Sequence, residues 1–383
     1  MSGNDATPEQ VQLRDNIRRY LRAEVSPIVA AHDEARTFPL ELLGELRQFG
    51  YLGGWLSEDQ GGYGIDYSTW SMMIEEAGYH WSSLRTLLNT HNIPMLLLAN
   101  HASPAQRDRF LTPLFEGTRQ VFSAITEPDV GSNVAGIQTR ADRKADHYVL
   151  NGRKLWITNG AWADFGIVVA RTFSADCDGK LSLFLVERDI SPFEVRHVDM
   201  MVLRSTGTAE LGFADVAVPA ENLLGEEGSA LRLVMGGLDP GRLNVAAGAV
   251  GAAQAALDLA IDHAKTRKQF GRPIGRFQLV QKHIVDMQIR VEAARALVRR
   301  AADALQGGGD ARMACSIAKL YATEVSHEVA SMALQVHGGL GYATGYPIER
   351  IFRDTRGGMI PEGTTEIQTL IIGREILGMS AIA

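Results

Sequence analysis

Cysteine is almost missing from this chain. Two residues in 383, Cys177 and Cys315, are too few and too far apart for a disulfide framework or a zinc site, and they fit a reducing compartment. Positive charge is not in excess either. Lys and Arg number 38 against 45 Asp and Glu, a net charge of −7, so broad attraction to nucleic acid or to an anionic membrane is not expected; a local basic groove stays open. No apolar run reaches membrane length. The longest weakly polar stretch, Leu243 to Ala260, is broken by Asn244, Gln254 and Asp258 and is rich in Ala and Gly, which reads as a packed interior helix. The N-terminus, MSGNDATPEQ, lacks the basic-then-apolar pattern of a signal peptide, so a cytoplasmic protein is expected. Common catalytic signatures are missing as well: there is no GxxxxGK[ST] loop, no HExxH pair and no GxSxG elbow. His337-Gly338-Gly339-Leu340-Gly341 approaches a dinucleotide fingerprint, but the next glycine is Gly345 and the stretch follows a helical pattern, not a strand.

What is present is a globular balance, 45% hydrophobic and 22% charged, with disorder expected only at the tip, Met1 to Glu9. The length allows two or three domains. Apolar periodicity predicts helices over 11–29, 40–49, 69–77 and 83–99. From about residue 120 short strand-like runs replace them, over 146–150, 154–158, 165–171, 181–187, 193–198 and 210–218, with Asn151-Gly152 as a hairpin turn and Asp178-Gly179 as another turn. Such spacing suggests a compact β-domain, barrel or sandwich. The helical period returns after Gly228, over 243–268, 279–306, 311–337 and 364–377, long enough for a bundle. The expected class is α+β with domains 1–119 (helical), 120–228 (β) and 229–383 (four-helix bundle).

Four segments carry candidate chemistry. Ala124 to Asn133 (AITEPDVGSN) puts Thr126 and Ser132 around a Gly131 turn, able to meet a flat polar ligand or merely to cap a turn between domains. Asn151 to Gly160 (NGRKLWITNG) sets Trp156 and Thr158 two apart, one strand face at period two, as an aromatic plate beside a hydroxyl or as a hairpin core. Arg267-Lys268-Gln269-Phe270-Gly271-Arg272-Pro273, with Gln278 following, reads as a phosphate clamp or as a solvated helix end that favours cations. The glycine-rich run Gln335 to Tyr346 precedes Ile360-Pro361-Glu362-Gly363-Thr364-Thr365-Glu366, where Glu362 is a buried base or a helix-capping charge.

In this order, and with Val218-Pro219-Ala220-Glu221-Asn222-Leu223-Leu224-Gly225 closing the β-region, the segments resemble the acyl-CoA dehydrogenase family over essentially the whole chain. The resemblance implies FAD as cofactor, a homotetramer, and α,β-dehydrogenation of an acyl thioester on CoA or a carrier protein, with an electron-transfer flavoprotein as acceptor. It implies Glu362 as the α-proton base. Thr126, Trp156 and Thr158 would line the flavin ring, with Thr364 near it. Arg267, Phe270 and Gln278 would be FAD contacts across a subunit interface, and Gln335 and Gly339 would hold the same adenine-diphosphate portion. Ser132 and Arg242 match positions that touch the pantetheine or nucleotide part of the thioester. Some relatives carry the base where this chain has Gly241, which cannot serve. Pro361 and Thr206 depart from a common Tyr and Ser. Arg85, in Ser83-Leu84-Arg85-Thr86, matches stretches of glutaryl-CoA dehydrogenases, where the Arg meets a distal carboxylate, and of related enzymes acting on carrier-bound acyl groups; an ordinary helix-surface Arg is the alternative. Buried, it would favour a short, polar or acidic acyl group. Flavin oxidases and monooxygenases of the same fold are a further alternative, but those that abstract no α-proton need no Glu362.

Overall fold

The computed structural model describes residues 7–381. Thr7 opens the first helix with a capping box, its hydroxyl accepting from the Gln10 N–H while the Gln10 side chain accepts from the Thr7 N–H. Thr7, Pro8 and Glu9 are therefore ordered, contrary to expectation; Met1–Ala6 lie outside the described residues. Helices α1 (Pro8–Tyr20), α2 (Val29–Ala35), α3 (Glu41–Leu46), α4 (Tyr67–His80), α5 (Ser82–His101), α6 (Pro104–Gln106) and α7 (Thr112–Glu116) form the N-terminal region.

Strands β1 (Val121–Ala124), β2 (Arg140–Arg143), β3 (His147–Ile157), β4 (Phe165–Phe173), β5 (Asp178–Glu187), β6 (Glu194–His197), β7 (Ala209–Pro219) and β8 (Leu223–Leu224) follow. All join one hydrogen-bonded path, β6-β7-β3-β2-β4-β5-β8, with β1 also on β4. β1 and β2 run parallel to successive halves of β4. The alternation of β4 and β5 explains their near-continuous apolar runs, because both faces are covered. Val168, Ala170, Phe184 and Val186 point into a β-core with Phe122, Tyr148 and Phe213. Ile167, Val169, Leu183 and Leu185 point the other way, into the helical core.

Asn151-Gly152 is not a hairpin. Both halves of β3 pair with β7 (Tyr148 with Val218, Lys154 with Leu211), so there is no second strand for such a turn to return. The register shifts between Leu150 and Gly152 instead. Gly152 takes φ +151°, and a Cβ there would lie 2.6 Å from the Thr139 hydroxyl. The glycine permits a bulge in the β3–β7 ladder where its backbone passes close to Thr139.

The C-terminal region holds α8 (Ala230–Thr266), a short hairpin β9 (Lys268–Gln269) and β10 (Arg272–Pro273), then α9 (Gln278–Gln306), α10 (Arg312–His337), α11 (Pro347–Gly357) and α12 (Thr365–Leu377). α8 begins well before the expected Leu243 and carries Pro240 inside it. Among the described residues it is the helix long and apolar enough to cross a membrane, but 72% of that apolar window is buried inside the protein, the mark of a core helix. α4 meets it backbone to backbone. A Cβ on Gly78 would lie 2.3 Å from the Gly248 carbonyl oxygen, and one on Gly251 would lie 2.0 Å from that of Glu75. Gly78→Ala is therefore expected to push two backbones apart and to lower stability by about 1–3 kcal/mol, the usual cost of overpacking. A thermal melt checks this, and an unchanged Tm would refute the close contact.

Candidate active site

Among the described residues seven non-glycine residues have positive φ, and three of them, Trp156 (φ 64°), Phe270 (φ 49°) and Glu362 (φ 57°), are candidate site residues. Strained backbone of this kind persists only where its surroundings enforce it.

Glu362 and Gly363 (φ 89°) form a left-handed pair ahead of α12. Gln368 Nε2 clamps it by donating to both carbonyls, at 2.9 and 3.1 Å, and Lys319 Nζ donates to the Gly363 carbonyl at 2.7 Å. The helix cap is Thr364, whose hydroxyl accepts from the Ile367 N–H. The capping role open to Glu362 thus falls to Thr364, and the Glu362 carboxylate turns inward, where its Oε1 accepts from Asn89 Nδ2 at 3.0 Å. Its other oxygen faces α8 at Gly241, where a Cβ would lie 3.0 Å from Oε2.

Cations surround this carboxylate. Arg85 on α5, Arg242 on α8 and Lys319 on α10 all favour its charged form, as does the Asn89 hydrogen bond. Burial acts the other way and is the largest influence, so the carboxyl is held above its ordinary 4.5. Lys319, fully buried, is brought down to about 8 by burial, against the pull of Glu362. Arg242, 3% exposed, pairs with Asp239 at 2.8 Å.

Arg85 is no surface residue. It is 7% exposed, its Nε has no hydrogen-bond partner, and it forms no ion pair among the described residues. Burial brings it down to about 10, with Glu362 and then Asp354 pulling it back up. Its stem lies on α8 where Gly248 leaves room; a Cβ there would be 2.5 Å from Arg85 Cγ.

A second group of candidates lies on the β-region. The Glu127 carboxylate pins the loop after β1: Oε1 accepts from Lys154 Nζ (2.9 Å) and the Thr139 N–H (2.8 Å), and Oε2 from the Gln138 N–H (2.6 Å). Lys154 also donates to the Ile125 carbonyl. Thr126 sits between these anchors, and its carbonyl accepts from the Leu155 N–H at 2.9 Å, joining the loop to the end of β3. There the register shifts again and Trp156 is 53% exposed, so it is not a core residue. Thr158 has left the strand for a turn, so strict period two does not relate it to Trp156. An open indole face beside a pinned polar loop suits a flat ring system. Ser132 is exposed farther along that loop.

Arg267 caps α8 and leads into the β9–β10 hairpin, whose turn, Phe270-Gly271 (φ 49° and 76°), holds Phe270 out 90% exposed. Two positive φ values suit a tight primed turn, so the cluster is a hairpin tip and not simply a helix end. Gln278, the first residue of α9, is exposed, as are Gln335 near the end of α10 and Gly339 after it. Exposed Arg, Phe and Gln side chains fit the phosphates and base of a dinucleotide docked on this surface.

Asn89, Asn244, Gln368, Lys319 and the Glu127–Lys154 pair were missed by sequence reasoning. Lys319 had a readable signal: a lone cation amid the apolar run Ala-Cys-Ser-Ile-Ala-Lys-Leu-Tyr-Ala of a long helix.

Comparison with known proteins agrees along the chain. The acyl-CoA dehydrogenase N-terminal, middle and C-terminal domain families match residues 7–118, 123–216 and 228–377. A short-chain-specific acyl-CoA dehydrogenase of Clostridium acetobutylicum is 36% identical over 372 residues, covering 97% of this chain and 98% of that protein. A crystal structure of glutaryl-CoA dehydrogenase from Mycobacterium smegmatis superposes with a TM-score of 0.94 at 31% identity, covering 100% of this chain and 98% of that one. Butyryl-CoA dehydrogenase from Megasphaera elsdenii superposes with a TM-score of 0.91 at 35% identity, covering 98% and 100%. The chain belongs to the acyl-CoA dehydrogenase family, FAD flavoenzymes that oxidise acyl-CoA thioesters.

Proposed function

We propose that this enzyme desaturates a short acyl thioester bearing a carboxylate or other polar group at its far end, with Glu362 as the α-proton base and Arg85 as the reader of that group. The observation that carries the substrate reading is Arg85: a buried cation with an unbonded Nε and no ion pair among the described residues, on α5 one turn before the Asn89 that holds Glu362. An unpaired buried charge is costly, and the far end of a bound acyl chain is a natural partner. A structure of glutaryl-CoA dehydrogenase in complex with glutaryl-CoA, at 34% identity and a TM-score of 0.92, is among the relatives, which supports the same reading.

The chain's own groups account for the proton chemistry. Glu362 presents a carboxylate whose burial makes it a stronger base than an exposed one. The left-handed turn leaves the Glu362 backbone N–H with no protein acceptor among the described residues, so it is free to donate to the thioester oxygen as enolate character develops; such a donor is worth about 3 kcal/mol. FAD, when bound, supplies the acceptor for the β-hydride. Thr126, Trp156, Thr158 and Thr364 would hold its ring end. Arg267, Phe270, Gln278, Gln335 and Gly339 would hold its phosphates and adenine, and Ser132 and Arg242 the carrier arm of the thioester. The same reading makes the enzyme a homotetramer served by an electron-transfer flavoprotein. Phe270 at 90% exposure, with Leu279, Val285 and Ile289 bare along α9, supports an assembly in which the hairpin reaches a neighbouring subunit's cofactor.

The test is anaerobic titration of the yellow protein with butyryl-, isobutyryl-, octanoyl- and glutaryl-CoA and a short acyl group on a carrier protein. Glutaryl-CoA is expected to bleach the oxidised-flavin band fastest. Faster bleaching by octanoyl-CoA would overturn the substrate reading while leaving the base in place.

A further inference from the structure

A tryptophan N–H begins a chain of amides that ends on the base. Trp70 Nε1 donates to Asn244 Oδ1 at 2.8 Å, Asn244 Nδ2 donates to Asn89 Oδ1 at 3.0 Å, and Asn89 Nδ2 donates to Glu362 Oε1 at 3.0 Å. The links come from α4, α8 and α5 in turn. Trp70 and Asn244 are each 1% exposed and Asn89 9%. The direction of the chain is forced. An indole N–H can only donate, so Asn244 must turn its oxygen to Trp70 and its NH2 to Asn89. Asn89 must then turn its oxygen back and its NH2 forward. Flipping either amide would set donor against donor and acceptor against acceptor.

We propose that Trp70, Asn244 and Asn89 are positioning residues that give Glu362 Oε1 a permanent donor and so leave Oε2 for the substrate's α-proton. The proposal rests on Glu362 as the base. α8 supports it twice, three residues apart. Asn244 feeds the tether for Oε1, and Gly241, which lacks a side chain, leaves space beside the carboxylate, nearest to Oε2 (a Cβ would lie 3.0 Å from Oε2 and 3.3 Å from Oε1). The charged groups facing the carboxylate are Arg85, Arg242 and Lys319, with Asp354 acting on Arg85 and Glu366 on Lys319. These cations set the field but not the rotamer. Among the described residues, only the relay bonds a Glu362 carboxylate oxygen directly.

The experiment follows exchange of the substrate α-proton into D2O by anaerobic, fully reduced holoenzyme across a pH range, which reads the base apart from hydride transfer. Both glutaryl-CoA and butyryl-CoA are used, so the result does not depend on what Arg85 reads. In Asn89→Leu the donor to Oε1 is lost. A hydrogen bond to a charged group is worth enough that the acid limb should move to higher pH by about one to two units. Asn244→Asp still accepts from Trp70 but cannot donate, so Asn89 should reverse and turn its oxygen on Glu362; the limb should move further. Trp70→Phe keeps a ring and removes only the anchor, and a smaller shift in the same direction is expected. An unmoved acid limb in Asn89→Leu and Trp70→Phe overturns the relay even should Asn244→Asp fail to hold FAD, since a purely structural role would lower stability without moving the profile. Exchange that survives in Glu362→Gln overturns the base assignment instead.

Discussion

Glu362→Gln is expected to give a yellow protein that retains FAD and is reduced by substrate about 10²–10⁴-fold more slowly, the range spanned by loss of a positioned general base. The substitution is a narrow probe because the site accepts it. Asn89 donates to Glu362 Oε1, and a glutamine oxygen can accept the same bond, so the rotamer and the left-handed turn held by Gln368 and Lys319 should persist. Only the proton acceptor is lost. The pH profile supplies the sign. Burial holds the Glu362 carboxyl above 4.5, so in the parent enzyme flavin reduction should rise with pH as the folded carboxyl ionises, whereas the residual rate of the variant should lack that limb. Stability follows from linkage. With its folded pKa raised, this group binds more protons folded than unfolded, so its contribution falls as pH rises from 4.5 through the folded value. The variant should lose this dependence and be no less stable at neutral pH. Anaerobic stopped-flow reduction and a thermal melt at several pH values measure both effects, and near-parental reduction would remove Glu362 from the chemistry.

Legibility in the sequence followed the range of the interaction. Helical and strand periods are local, and the helix–sheet–helix order was readable for that reason. So was Glu362, from the adjacent Pro, Gly and Thr residues. Its left-handed backbone was not, because the clamp is made by Lys319, far away in sequence, and by Gln368. The relay was still less accessible: positions 70, 89, 244 and 362 meet only after α4, α5 and α8 have packed, and an asparagine in a helix carries no mark of what it will touch. Asn151-Gly152 shows the converse. The dipeptide is a strong local hairpin signal, yet pairing of both halves of β3 with β7 overrode it and used the same glycine for a bulge. α11 was missed because Pro-Ile-Glu-Arg-Ile-Phe-Arg-Asp-Thr-Arg-Gly offers only one apolar turn, Ile348, Ile351 and Phe352, among charged residues; that turn packs on the helical core, and the ion pair of Arg353 to Asp33 ties the helix to α2.

Arg85→Met is expected to leave the enzyme at least as stable and to make it less discriminating at once. Arg85 occupies the interior with no partner for its Nε and no ion pair among the described residues. A charge so placed opposes folding, and apolar replacement of buried charged groups is often neutral or stabilising by about 1–4 kcal/mol. Methionine is unbranched and adaptable, so it can follow the arginine stem through the slot that Gly248 leaves open. Tm should therefore stay level or rise. Function should move the other way. A substrate carboxylate brought beside a thioether loses its counter-charge, and breaking a buried pair costs about 3–5 kcal/mol, which is about 10²–10⁴-fold in kcat/KM. Glutaryl-CoA oxidation should fall by that factor, while butyryl-CoA, whose methyl end prefers the apolar wall, should be oxidised at least as well as before. A surface arginine would give neither change. Loss of stability together with unchanged selectivity would make Arg85 a structural residue, whereas a rise in Tm paired with collapse of the glutaryl preference would mean that the fold tolerates a buried, unpaired cation because the substrate completes it.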